Sequence, residues 1–299
     1  MGATDRRETT TCGRVATVGT FDGLHRGHAR VIGLVKRLAM ERGLEPMVIS
    51  FDRHPLETVA PGRAPLLVQS PSERTNMLYR EGLRLLTLEF TRELAAMTAA
   101  EWLRRMHKEH GVEVLVVGYD NTFGSDGTAM SIADYRRLGA EAGVEVVEAP
   151  YEPKAASSAI RRLVAAGDIE EASRLLGRPF TVVGRVEPGK RMGASLGFPT
   201  ANVCPCYRAL LPADGVYAVE VEMPEGGVRR AVANVGRQPT VASDAPRRLE
   251  VHIPGFQGDL YGSRLAVRFL RRLRPEKKFE STELLRRQIA LDINDALWK

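Results

Sequence analysis

The sequence predicts two domains of different class: an α/β N-terminal domain built on a parallel sheet, residues 1–178, and a small antiparallel β-barrel with a terminal helix, residues 179–299. Three observations lead there. The chain has 299 residues, more than one domain usually holds. Its first half alternates helices with strands whose apolar runs are nearly unbroken, as in a parallel sheet covered on both faces. From Phe180 onward the period changes to short strands with turn residues between them, the pattern of a small barrel.

In chain order, residues 15–18 form the first strand, which stops at Gly19. Residues 28–42 follow as a helix with Val31, Leu34, Val35 and Leu38 on one stripe and Gly43 as its stop. Residues 47–51 are the second strand. Ser70, Pro71, Ser72 and Glu73 read as a capping box with proline at the first helical position, opening a helix that ends near Gly82. A third apolar strand spans 83–88. Thr98 and Glu101 cap a helix to Gly111, residues 112–117 are the fourth strand, Ser131 and Asp134 start another helix, and 144–147 is the fifth strand. Ser157 and Ser158 are expected to cap a helix from about Ala159. Asp168 and Glu171 cap a short helix over 169–176 that ends at Gly177, with residues 178–183 as the crossing between domains. In the second half, strands are expected at 180–186, 216–222, 228–235, 249–253 and 265–269. A helix over 282–297 lays Leu285, Ile289, Ile293 and Leu297 against them.

Composition narrows the class. With 43% hydrophobic and 27% charged residues and no long uncharged apolar run, the chain is expected to be globular, without a membrane span. The first twelve residues are polar and do not resemble a signal peptide. Cys12, Cys204 and Cys206 are too few and too unevenly placed for a disulfide framework, so the cytoplasm is the expected location. Residues 260–299 carry ten Lys or Arg against five Asp or Glu, most of the net charge of +6. They lack the interleaved aromatics of a base-stacking surface, so no nucleic-acid partner is expected. A solvated face that also favours anionic small substrates is the simpler reading.

Ligands of open parallel sheets bind outside the carboxyl ends of the strands. The polar, glycine-rich segments fall there: GTFDGLHRGH at 19–28, FDRHP at 51–55, GYDNTFG at 118–124 and SSAIR at 157–161. Gly23 and Gly27 let backbone approach a ligand, and His25 and His28 flank the start of a helix whose N–H groups attract anions. Two imidazoles there can donate to a triphosphate, while the clustered cysteine or acidic partners of a metal site are missing. Surface decoration is the plain alternative for the pair. Arg161, in the first turn of its helix, opposes the helix dipole and is better used on phosphate. In the second half, GFPTAN at 197–202 presents the Thr200 hydroxyl and the Asn202 amide on a proline-stiffened turn, oxygen donors suited to a Mg²⁺-bound nucleotide. Glu250 lies in a strand with its face opposite to Leu249 and Val251, placed to take a proton from an alcohol, although a lone strand carboxylate is commonly just solvated. Cys204 and Cys206, without a second pair, make a weak metal or redox motif.

Taken together, these residues resemble the prokaryotic bifunctional riboflavin kinase/FAD synthetase family over nearly the whole chain. The resemblance rests on the 19–28 segment (Gly19, Phe21, Asp22, Gly23, His25 and His28 among it), His54-Pro55, the 118–124 loop and the 157–161 segment. It continues through GFPTAN, DGVY at 214–217, Asn234 to Gly236 with Pro239 and Thr240, LEVH at 249–252, residues 256–262 and LRPEKKF at 273–279. It implies a Rossmann-like nucleotidyltransferase domain followed by a kinase barrel, and two reactions that use ATP with Mg²⁺. In the barrel, riboflavin becomes FMN, with Glu250 as general base and Thr200 and Asn202 at the metal-nucleotide. In the first domain, FMN attacks the α-phosphorus of ATP to give FAD and pyrophosphate. There His25 and His28 stabilise the triphosphate, and Ser157, Ser158 and Arg161 hold it. His54, Asn121, Lys190, Arg191, Gly197 and Pro199 complete the implied binding residues. Three positions depart from the family pattern: Arg53 replaces a proline, Asn121 an aromatic, and Ala194 an arginine of the kinase loop, where Lys190 and Arg191 lie near in sequence. Three other readings remain compatible with the residues: a riboflavin kinase with a drifted first domain, a nucleotidyltransferase for another small phosphorylated acceptor, and a non-enzymatic RNA- or partner-binding protein.

Overall fold

A computed structural model describes residues 13–118, 122–150, 156–189, 192–237 and 247–298. The chain divides into two compact units, residues 1–65 with 71–153, and residues 66–70 with 154–299.

The first unit runs β1 (Arg14–Val18), α1 (Arg26–Arg42), β2 (Glu45–Phe51), α2 (Pro55–Val59), α3 (Pro71–Arg80), β3 (Arg84–Leu88), α4 (Arg92–Ala96), α5 (Ala99–His110), β4 (Val112–Val117), α6 (Ile132–Ala142) and β5 (Glu145–Glu148). Its five strands form one parallel sheet in the order β3-β2-β1-β4-β5. Successive strand residues serve opposite faces. Ala16, Val18, Met47, Ile49, Leu115 and Val117 pack with Trp102, Leu103, Met106 and Leu138 of α5 and α6. Val15, Val48, Val114 and Val116 pack with Ile32, Leu34 and Val35 of α1 and with Leu78 of α3. Both faces are covered, which is why these strands show no polar alternation. The capping boxes at Thr98/Glu101 and Ser131/Asp134 form as expected. Helix α1 starts at Arg26, two residues before the expected His28, because His25 itself caps it. The five-residue helices α2 and α4 have no apolar stripe long enough to read in advance.

The second unit runs α7 (Ser157–Ala166), α8 (Ile169–Leu176), β6 (Phe180–Glu187), α9 (Met192–Ser195), β7 (Ala201–Cys204), β8 (Gly215–Glu222), β9 (Val228–Gly236), β10 (Arg248–His252), β11 (Arg264–Arg274) and α10 (Thr282–Trp298). Its six strands close into an antiparallel barrel in the order β10-β7-β6-β11-β8-β9. One strand more is present than expected. β7 has a single buried residue, Val203, and follows Pro199, so four residues of GFPTANVC read as a turn. Helix α10 covers Val216, Ala218 and Val232 with Ile293 and Ala296. Leu297 falls off that stripe and is 37% exposed.

By packing, helices α7 and α8, which precede the expected boundary near 178, group with the barrel. Ile160 and Val164 of α7 and Ile169, Ala172, Leu175 and Leu176 of α8 share one hydrophobic cluster with Phe180, Tyr217, Val219 and Phe269 of the barrel. Gly177 ends a helix, and a helix stop carries no information about which core the helix joins. Helix α7 also begins earlier than expected. Ala156 is its N-cap and makes no side-chain cap bond, which puts Ser157 and Ser158 inside the first turn instead of capping it.

A short segment from between α2 and α3 belongs to the barrel unit. Leu67 bridges Ala209 in parallel, its N–H donating to the Arg208 carbonyl at 2.8 Å and its carbonyl accepting from Leu210 N–H at 2.9 Å. Arg161 Nε donates to the Leu66 carbonyl at 3.0 Å, and Val68 is buried in the barrel cluster. Among the described residues, no helix is long and apolar enough to cross a membrane.

Candidate active sites

In the first unit the chain leaves β1 toward β2 on one side and later returns to place β4 on the other, so strand order reverses at β1/β4. The loops after these strands therefore flank the crevice in which sheets of this kind bind ligands. The loop after β1 is wound tightly. Phe21 and Leu24 have positive φ (48° and 39°) beside Gly23 at 91°. For side chains other than glycine this conformation costs about 1–3 kcal/mol each and persists where packing enforces it. Phe21 is 3% exposed and its ring lies 5.0 Å from that of His28.

The strained turn delivers His25 to the N-cap of α1. His25 Nδ1 accepts from the His28 N–H at 3.4 Å, and the two imidazoles stack with centroids 3.7 Å apart. With Nδ1 accepting, the neutral His25 ring carries its proton on Nε2. The first turn of α1 contains no acidic residue, so no carboxylate of that turn offsets its partial positive charge. His54 repeats the device at the end of β2. Its Nδ1 accepts from the Leu56 N–H at 3.2 Å, and Glu57 Oε1 accepts the His54 N–H at 3.2 Å. Arg53, where a proline was the pattern, pairs with Asp52 at 2.8 Å and leaves this cap intact. Gly19 and Asp22 belong to the same loop, Asp22 being 4% exposed.

The loop after β4 is anchored at its far end. The Tyr135 hydroxyl accepts from Phe123 N–H and donates to the Phe123 carbonyl, and the two rings stack at 4.4 Å. Phe123 thus belongs to the core. Asn121 lies outside the described residues, as do Lys190 and Arg191. Ser157, Ser158 and Arg161 are carried by α7 of the second unit. Sequence reasoning missed Arg74, whose guanidinium donates to the Thr20 carbonyl at 2.7 Å and the Phe51 carbonyl at 2.9 Å. A signal was present: a basic residue near the start of a helix, the same feature that singled out Arg161.

In the second unit, strand register builds a row of polar groups. Glu250 of β10 stands opposite Asn202 of β7 and Asn234 of β9, and Asn202 stands opposite Glu187 of β6. Directly opposed residues share a face, here the face away from Leu249 and Val251, which are buried inside the barrel. Glu250 is half-buried. Its carboxyl is held above its ordinary range by burial, opposed by Arg248 and by the hydrogen bond from the Thr200 hydroxyl, with Glu276 adding a little upward. Thr200 and Glu250 therefore lie close enough to interact on the lining of one cavity, and Asn202 stands opposite Glu250 in register.

Backbone without side chains makes this packing possible. A Cβ at Gly189 would lie 1.8 Å from Asn202 Nδ2, and one at Gly193 only 3.3 Å from Thr200 Oγ1. His252 fixes the turn from the other side, its Nδ1 lying 2.8 Å from the Pro199 carbonyl, which makes that nitrogen the donor. Arg286 Nε donates to the Leu196 carbonyl at 3.0 Å just before Gly197. Ala194 is exposed in α9.

Glu250, Thr200 and Asn234 face a cavity of about 500 Å³ whose apolar walls include Phe198, Val216, Phe279 and Ile289, with Lys277 and Lys278 on its lining. Such a volume suits one medium-sized organic ligand. A second cavity of about 160 Å³, with Phe256, Leu260 and Tyr261 on its wall, also reaches Thr200. Thr200 thus borders two compartments. Cys204 is pushed up to about 11 by burial and its Glu187 contact, so it is a thiol at neutral pH. Among the described residues no group of three or more His, Cys, Asp and Glu is placed to hold a metal.

Comparison with known proteins agrees with both halves. The FAD synthetase family matches residues 7–159 and the riboflavin kinase family matches residues 176–298. Similar proteins include bifunctional riboflavin kinase/FMN adenylyltransferases from three bacteria. The one from Pseudomonas fluorescens is 38% identical over 290 residues, covering 94% of this chain and 91% of the relative. That of Escherichia coli strain K12 is 36% identical over 290 residues, covering 94% and 90%. That of Bacillus subtilis strain 168 is 33% identical over 291 residues, covering 95% and 91%. The crystal structure of a Streptococcus pneumoniae protein named as a macrolide-efflux protein superposes with a TM-score of 0.86 at 33% identity, covering 97% of this chain and 96% of that one.

Proposed function

The chain belongs to the bifunctional riboflavin kinase/FMN adenylyltransferase family, and from that premise we propose which of its residues carry each reaction. It phosphorylates riboflavin with ATP to give FMN, and it joins FMN to the adenylyl group of a second ATP, giving FAD and pyrophosphate.

The kinase reaction belongs to the barrel unit, and the observation that carries this reading is Glu250 under the Thr200 hydroxyl at the wall of the large cavity. The apolar walls take the flavin ring, leaving the ribityl chain to reach Glu250. There the carboxylate accepts the proton of the 5′-hydroxyl as that oxygen attacks the γ-phosphorus, and the bond from that phosphorus to the β–γ bridging oxygen breaks to release ADP. Burial makes this carboxylate a stronger base than a solvated one, in keeping with general-base work near neutral pH. The smaller cavity beyond Thr200 takes the nucleotide base, so attacking and leaving groups lie on either side of one hydroxyl. Gly197 and Pro199 shape the turn between them.

Mg²⁺ fits the donor set: Thr200 and Asn202 offer hard oxygens beside a carboxylate, and this cation is commonly held by few protein oxygens together with substrate phosphates. Those two residues would hold it, and when bound it neutralises charge on the phosphates. Lys190 and Arg191 lie next in sequence to this loop and offer further phosphate donors.

Adenylyl transfer belongs to the first unit. The FMN phosphate is already a nucleophile, so the protein has only to align it and stabilise charge on the triphosphate. His25 and His28 supply imidazole donors at the positive end of α1, and Gly19, Phe21, Asp22 and Gly23 shape the loop around them. His54 serves the same crevice from the loop after β2, and the family pattern gives Asn121, outside the described residues, a binding role as well. The family pattern gives Ser157, Ser158 and Arg161 a phosphate-binding role, and all three are carried by α7 of the second unit. The partners are riboflavin, FMN and ATP, with no nucleic acid and no membrane, in the cytoplasm.

The test is a time course of riboflavin, ATP and Mg²⁺ with the full chain, resolved by chromatography. FMN should appear first and FAD follow. Accumulation of FMN alone would remove the adenylyl-transfer roles assigned to His25 and His28.

A further inference from the structure

We propose that Arg74 is a positioning residue for adenylyl transfer, its guanidinium holding the histidine-bearing loop against the end of β2. This rests on the roles assigned above to His25 and His28. The regular β1–β2 ladder ends at Val18 opposite Ile49, and Gly19 N–H adds one last bond to the Ile49 carbonyl at 3.1 Å. Beyond it, Arg74 takes over the pairing. Nη1 donates to Thr20 O at 2.7 Å on one side, and Nη2 donates to Phe51 O at 2.9 Å on the other. A planar fork with two separate amino groups can bridge carbonyls on two chain segments, which a single ammonium does less well.

The point of attachment matters. Thr20 immediately precedes Phe21, the first of the two non-glycine residues held at positive φ, and the strained turn ends where His25 caps α1. Without the guanidinium the Thr20 carbonyl keeps the Ser50 hydroxyl at 3.4 Å, too long a bond to hold the turn, which relaxes toward ordinary φ, withdraws His25 from the cap and disturbs its stack with His28. A cation in this place is costly: burial pulls the guanidinium below its ordinary value, and only nearby Asp22, itself 4% exposed, pushes the other way. An expensive buried charge with its donors aimed at two loop carbonyls is explained by what those loops carry.

Full-length Arg74→Ala and Arg74→Lys answer the question, with FAD formation from supplied FMN and ATP measured beside riboflavin phosphorylation in the same preparations. In Arg74→Ala, kcat for FAD formation falls ~100-fold, the size of loss that about 1 Å of misplacement brings. The KM for ATP stays within about threefold and FMN formation is unchanged, a split that separates positioning from binding. Arg74→Lys keeps the charge beside Asp22 without the fork and recovers only part of kcat. Three results overturn the proposal: a normal kcat in Arg74→Ala, a higher KM with kcat preserved, or full recovery in Arg74→Lys. Should the alanine chain fail to fold, the lysine chain decides alone, by partial against full rate. His28→Ala separates this inference from the reading it rests on. Lost FAD formation there with a normal rate in Arg74→Ala defeats only the clamp, whereas a normal rate in His28→Ala defeats the histidine assignment.

Discussion

Glu250 and Asn202 stand directly opposite each other across the β10–β7 ladder, so the carboxylate and the amide share one face of the barrel by register alone. The Thr200 hydroxyl lowers the same carboxylate's pKa against the effect of burial, and Thr200 and Glu250 line one cavity together.

Replacing that carboxylate isolates the kinase. Glu250→Gln should lower FMN formation by about 10²–10⁴-fold, the usual worth of a positioned base, and leave FAD formation from supplied FMN within twofold of normal. In the unaltered chain, FMN formation should fall on the acid side at a pH above the ordinary glutamate value of about 4.3. Burial raises the Glu250 carboxyl, so the base is protonated earlier as pH drops. A pH–rate profile for FMN production with an acid limb at or below the ordinary value would contradict this.

The same substitution should stabilise the fold at neutral pH. A carboxyl whose folded-state value is raised contributes most below its unfolded value, and that contribution is lost as pH rises through the folded value. Above that window the ionised group opposes folding and a neutral amide does not. Thermal unfolding of Glu250→Gln against the parent should therefore show a higher Tm at pH 7–8. The gain should fade toward pH 4. A constant difference across pH would mean that the amide acts through packing.

Two glycines offer a matched pair. Gly189→Ala drives a methyl to within 1.8 Å of Asn202 Nδ2 and should cost FMN formation tenfold or more, with FAD formation intact. Gly33, exposed within α1, has nothing within 4 Å of a built Cβ, so Gly33→Ala should stabilise by about 0.8–1.0 kcal/mol without altering either rate. Product assays and denaturant unfolding of both variants check the contrast.

His28→Ala should reverse the pattern of Glu250→Gln. It removes the ring stacked on His25 at 3.7 Å and should reduce FAD formation about 10²-fold or more while FMN formation continues. Loss of both products in a folded chain would reject the assignment of separate sites.

Much of this architecture is readable from residue order, for reasons that can be named. The parallel sheet declares itself because β1, β2 and β4 are buried on both faces and so carry no polar alternation. His25 and His28 stand out because their spacing spans the start of a helix with a clear apolar stripe. Glu250 shows because a charged residue between Leu249 and Val251 must point away from their core. What stays hidden depends on tertiary packing. β7 offers one buried residue in four, too little to separate a strand from a turn. Helix α8 carries a side-chain cap, and α7 and α8 both carry apolar stripes, but nothing says which core they join. Arg74 makes its contacts to backbone carbonyls, and a carbonyl leaves no mark in a sequence.

The five residues from Leu66 to Ser70 give the chain a property that its two-part composition would not suggest. No single cut yields two whole pieces. Severing it anywhere between 70 and 154 strips from the barrel the strand-like partner of Ala209 and the carbonyl that Arg161 grips, and uncovers the apolar contacts of Val68. An excised kinase fragment beginning near residue 154 would therefore start life with an open seam, and supplying the missing stretch as a peptide is the natural way to close it.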